Sequence, residues 1–232
     1  MSYEIELEPL EQSLIVPPSP RGIILLGHAG AADQKSGFSR AYADELKAAS
    51  YASCVVEWAT DSSSLPDFRF GSRVDELSRI IVGTAARLRL DKRVRHLPLG
   101  GLFSGAASAA AMVAAASDPN LFKAIVSYDG RPDLAEIKLH RVQTPSLLLV
   151  SKTETELFEM NRWAQRRLIG AASLHLIDTR SGAKDRSTHE VIRQAALWFD
   201  THFGRKEPSV QRTLFKLPFQ RSRSAPASAN HG

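Results

Sequence analysis

One cysteine, Cys54, stands in the 232 residues of this chain. That scarcity excludes an internal disulfide framework and suits a reducing compartment. Cys54 lies in the apolar run ASCVV, the setting of a buried structural thiol rather than a reactive one. Long hydrophobic runs are also missing: the longest is alanine-rich and far short of the roughly 20 residues that span a bilayer. The N-terminal MSYEIELEPLEQ is acidic and lacks the charged-then-apolar order of a secretory signal. These absences predict a cytoplasmic protein. No cluster of His, Cys, Asp and Glu has ligand spacing, so neither a metal nor another cofactor is expected. A nucleotide-binding class has only the small-residue loops GHAG and GGLFSG behind it. Neither matches G-x-G-x-x-G or G-x-x-x-x-G-K-[ST].

Apolar residues make up 43% and charged residues 24% of the chain, ordinary values for a globular protein long enough to bury one sizeable core. The net charge of +5 is unevenly spread. From Arg205 onward there are six basic residues (Arg205, Lys206, Arg212, Lys216, Arg221, Arg223) against one acid, Glu207, leaving 24 of each sign for the rest. The body is neutral and asks for neither nucleic acid nor an anionic membrane. Residues 205–232 lose periodicity and gain Ser, Pro and Arg, which predicts a basic disordered tail suited to an acidic partner. Inside it LFKLPF is a small apolar cluster.

In the body, strand-like and helix-like patterns alternate. Residues 3–8 and Ser13–Val16 read as strands. GIILL (Gly22–Leu26) is a continuous apolar run, as expected of a strand buried on both faces. Ser39–Ala49 has helical spacing, Ser53–Trp58 reads as a strand, and Val74–Leu88 as a second helix. Phe122–Ser127 and Ser146–Val150 are further buried strands, separated by a loop with a short helix. Thr155–Leu168 is helical, Ser173–Ile177 is a last strand, and Ser187 caps a closing helix to about Phe203. The alternation predicts a mostly parallel sheet covered on both faces, formed by residues 1–204.

The organising stretch is LPLGGLFSGAASAAAMVAAAS (Leu97–Ser117). An apolar strand breaks at a Gly/Ser cluster and resumes as an alanine-rich helix, the frame of a nucleophile elbow. The pattern G-x-S-x-G is absent, because no serine there has glycine two residues away on both sides.

Several stretches together resemble the dienelactone-hydrolase-like branch of the α/β-hydrolase superfamily over roughly residues 10–204. They are GIILLGHAG, the Arg69-Phe70 pair, LPLGGLF, AIVSYDGRPDL, TPSLLLVS and EMNR. The resemblance implies a three-layer α/β-hydrolase fold, with a mostly parallel central sheet and helices on both faces. It also implies a Ser or Cys nucleophile, a carboxylate after the TPSLLLV strand, a histidine after the last strand, and an oxyanion loop.

Matching on GLF puts the nucleophile at Ala106, whereas matching on Pro119 and GRPDL puts it at Gly105. Neither carries a nucleophile. Ser104 and Ser108 flank them. Ser104 also fits a helix cap, and Ser108 fits polar filler on a packed helix. The carboxylate position falls on Glu154, which either orients a histidine or is a solvent-facing loop acid. The histidine position falls on Lys184 or Asp185, with His189 the nearest imidazole, just past the expected cap. His28-Ala29-Gly30 corresponds to the oxyanion loop, with Ala29 where glycine is usual.

Two outcomes follow from the sequence. In one, the fold persists without nucleophile and base, and the protein binds a small ester- or lactone-like ligand or a partner. In the other, it is a live esterase or lactonase using Ser104 or Ser108, His189, and Glu154 or Asp178.

Overall fold

A computed structural model describes residues 13–29, 32–56, 73–178 and 184–204, without side chains at 32–39 and 184–186. The expected strand at residues 3–8, Gly30, the Arg69-Phe70 pair and the tail lie outside the described residues.

Seven strands form one sheet: β1 (Leu14–Ile15), β2 (Ile23–Ala29), β3 (Ala52–Val55), β4 (Leu99–Gly105), β5 (Ala124–Gly130), β6 (Ser146–Ser151) and β7 (Ala172–Ile177). Their spatial order is β1-β3-β2-β4-β5-β6-β7. Only β1 is antiparallel to its neighbour; the other pairs run parallel. Among the described residues five α-helices alternate with the strands: α1 (Ala32–Ala48), α2 (Val74–Leu90), α3 (Ala106–Ser117), α4 (Thr155–Gln165) and α5 (Lys184–His202). A 3-10 segment, Pro132–Arg141, joins β5 to β6.

The apolar runs explain the layers. All of β2 and β6 is buried, because helices cover both faces of a parallel sheet. Side chains alternate along each strand, so the core divides in two. Ile23, Leu25, Phe103, Ile125 and Leu148 face α2, α3 and α4. Ile24, Leu26, Leu102, Val126 and Leu149 face α1 and α5. In α3 every residue from Ala106 to Ala115 is buried, and the small alanine side chains let that helix lie close against the sheet.

Two expected caps are corrected. Ser104 is a strand residue, and Gly105 occupies the position before α3, with no side-chain cap. Ser187 lies inside α5, which begins at Lys184.

Candidate functional site

β4 passes into α3 with no intervening residue, and the direction change is taken up at Gly105. Its φ of 59° and ψ of −143° lie in a region reached essentially by glycine alone. The β4–β5 register slips at the same place, between Ser104 and Gly105. Of the two nucleophile positions suggested by the sequence, the strained turn residue is therefore Gly105. Ala106 is buried in the first turn of α3.

The space in front of Gly105 is occupied by backbone. β2 stays in register with β4 up to the pair Ala29–Gly105. A Cβ built on Gly105 would meet the Ala29 carbonyl oxygen at 2.1 Å. Ala29 thus presents its carbonyl to the turn residue.

Ser104 precedes the turn. Strand alternation sends its side chain toward α1 and α5, opposite to Phe103. Its cross-strand neighbours are His28 on β2 and Tyr128 on β5, and His28 is itself buried. Ser108 faces the other way and is fully buried, where its Oγ accepts the Ser127 hydroxyl at 2.9 Å. A Cβ on Gly130 would come within 2.1 Å of both hydroxyl oxygens, so the strand end is shaped around this pair.

The remaining sequence candidates are spread out. Glu154 is exposed at the start of α4; its N–H donates to the Ser151 carbonyl at 2.9 Å. Its charge is among those that act on Tyr128. The His189 side chain is 70% exposed, with Nδ1 3.0 Å from the Glu45 carboxylate on α1. Asp178, at the end of β7, pairs with Lys152 at 3.4 Å. The structure thus sets His28 beside Ser104, while His189 is engaged on the outer surface.

A layer of polar residues, most of them not singled out from the sequence, surrounds Ser104. His28, Ser104, Tyr128 and Ser151 lie at or near the carboxyl ends of β2, β4, β5 and β6 on the face covered by α1 and α5. From α1, the Tyr42 ring packs 6.2 Å from that of Tyr128. Thr188 of α5 hydrogen-bonds to Tyr42. Asp129 is held at φ 42°. Its carboxylate accepts the Ser151 N–H at 2.7 Å and the Ser151 hydroxyl at 2.6 Å, closing the β5–β6 seam. Burial, and then the Asp129 charge, push the Tyr128 phenol up to about 12. Burial pushes Tyr42 up as well. Both phenols are therefore neutral at physiological pH, able to donate hydrogen bonds but not to attack. A sequence signal for this layer exists: IVSYDG, LLLVS and LLGHA each turn polar at the carboxyl end of a buried apolar run.

Among the described residues no group of His, Cys, Asp and Glu could hold a metal ion. No helix among them is long and apolar enough to cross a membrane.

No family model matches the chain. Two proteins from different strains of Mycobacterium tuberculosis, provisionally named phosphoribosyl transferases, are 28% identical over 204 residues, covering 87% of this chain. The chain spans only 46% of their length. Among solved structures, dienelactone hydrolase from Anabaena variabilis is 26% identical, with a TM-score of 0.72 over 86% of this chain and 97% of that one. A ferulic acid esterase from Streptomyces cinnamoneus shares the fold at 18% identity, with a TM-score of 0.58 over 84% of this chain and 71% of its own. The elbow geometry, the three layers and these likenesses agree: the chain has an α/β-hydrolase fold and resembles the dienelactone-hydrolase-like branch of it.

Proposed function

We propose that this protein keeps the hydrolase scaffold but performs no triad catalysis, and acts by binding a small ester- or lactone-like ligand or a protein partner. The observation that carries the proposal is Gly105. The one backbone position whose torsions lift a side chain out of the elbow bears none, and the Ala29 carbonyl fills the space where it would stand. Lys184 and Asp185 at the expected histidine position, and the Glu45 contact of His189, support the same conclusion. The basic residues beyond Gly204 would add a contact for an acidic partner. Phosphoribosyl transfer is not carried over from the mycobacterial relatives, because this chain spans less than half of their length.

The test is hydrolysis of short-chain nitrophenyl esters and small lactones, with fluorophosphonate labelling, by the wild type and Ser104→Ala. No turnover and no labelling of folded protein is the expected result. Turnover and labelling that disappear in Ser104→Ala would overturn the proposal in favour of a serine esterase with a displaced nucleophile.

A further inference from the structure

The two edges of the sheet are finished differently. β1 is two residues long. β7 is six, ASLHLI, with none of the lysine or proline that commonly blunts an open edge. Among the described residues no strand pairs with its outer side. His175 and Leu176 are exposed, Leu176 at 47%.

The backbone groups left on that side can be read from the inner ladder. Ser146 N–H donates to the Ala171 carbonyl and Lys152 N–H to the Ile177 carbonyl, both at 2.8 Å. Odd-numbered residues of β7 therefore turn their backbone groups toward β6, and Ala172, Leu174 and Leu176 turn theirs outward. The Ala172 carbonyl accepts the Gln165 side-chain amide at 3.1 Å. Leu174 and Leu176 each present an N–H and a C=O, two residues apart. That spacing is self-complementary: inverted about His175, Leu174 and Leu176 exchange both bonds as an antiparallel hydrogen-bonded pair. A two-fold axis normal to the sheet also keeps each side chain on its own face.

We propose that β7 pairs antiparallel with β7 of a second copy about an axis through His175, joining two seven-stranded sheets into one. The second copy's Leu176 then lies opposite Leu174, covering an exposed leucine, and the two His175 residues meet as a non-hydrogen-bonded pair.

The test uses the full chain. Light scattering should give a dimer, and Leu176→Lys should shift it to monomer with unchanged circular dichroism and a melting temperature that no longer rises with protein concentration. In this register the two His175 Cα atoms stand roughly 4.5 Å apart, within disulfide range. His175→Cys should therefore give a covalent dimer on mild oxidation, and buried Cys54 supplies no competing thiol. Ser173→Cys, roughly 13 Å from its symmetry mate by strand rise, should not cross-link. A wild type that stays monomeric, its edge covered by the chain's own residues, would overturn the proposal. So would a dimer that survives Leu176→Lys, or equal cross-linking by Ser173→Cys.

Discussion

At Gly105 a hydrogen atom occupies a place that a methyl group could not. Any L-residue there carries the strain of φ 59°, about 1–3 kcal/mol, and in addition its Cβ meets backbone oxygen at 2.1 Å. Gly105→Ser should therefore destabilise the protein by more than the strain alone, lowering the urea midpoint without changing the slope, and should create no esterase. The two neighbouring serines separate cleanly. Ser108→Ala removes the partner of a fully buried Ser127 hydroxyl and should cost about 1–3 kcal/mol. The Ser104 side chain makes no hydrogen bond with the described residues, so Ser104→Ala leaves no buried partner unsatisfied and should cost less than Ser108→Ala, under about 1 kcal/mol. Equal losses at both serines, measured by urea unfolding, would contradict this assignment of their roles. The elbow frame was legible in Leu97–Ser117, but Gly105 and Ala106 differ by one residue of register. Only the backbone torsion separates them, and no residue pattern encodes it when both side chains are small.

The closing helix α5 illustrates what periodicity conveys and where it slips. Val191, Ala195 and Phe199 are buried against the sheet at helical spacing, and partly buried Trp198 packs against the same cluster. Phe199 and Phe203 stack at 5.3 Å, and Tyr51 meets both edge-on at 6.0 and 6.1 Å. Two glycines make room for them. A Cβ on Gly22 would lie 2.4 Å from Phe203, and one on Gly100 2.7 Å from Phe199. Near the same end, Asp200 accepts hydrogen bonds from Tyr51 and Arg21, both at 2.6 Å. Phe199→Ala should cost about 3–5 kcal/mol, because the gap opens in the layer between helix and sheet. Thermal unfolding checks it; a loss under 1 kcal/mol would mean that α5 does not lock the fold at this point. The start of α5 misled for a physical reason. Ser187 resembles a cap, but a cap works only where helical hydrogen bonding begins, and the helix already begins at Lys184.

At the scale of the whole molecule, the strand–helix alternation was legible because each buried strand is a continuous apolar run. The polar layer at the carboxyl end of the sheet was not. Its members come from four strands and two helices, between His28 and Thr188, and only strand order makes them neighbours. That layer gives the protein a predicted weakness in alkali. Tyr128 and Tyr42 lie between the sheet and the α1/α5 layer with their phenols held neutral, Tyr128 rising from 10.0 to about 12 and Tyr42 further in the same direction. In the unfolded chain both ionise near 10, so between pH 10 and pH 12 the folded state binds more protons than the unfolded one. Stability from these groups is fully present below pH 10 and falls as pH rises through that window. Urea unfolding at stepped pH should show the decline, and tyrosinate absorbance should appear with unfolding rather than before it. Tyr128→Phe removes one of the two phenols and should flatten part of the fall, at the cost of about 1 kcal/mol at neutral pH for the hydroxyl's contacts to Ser151, at 3.4 Å, and to Asp129. A variant that declines as steeply as the wild type would place the alkaline weakness elsewhere, in lysine ion pairs such as Lys152–Asp178.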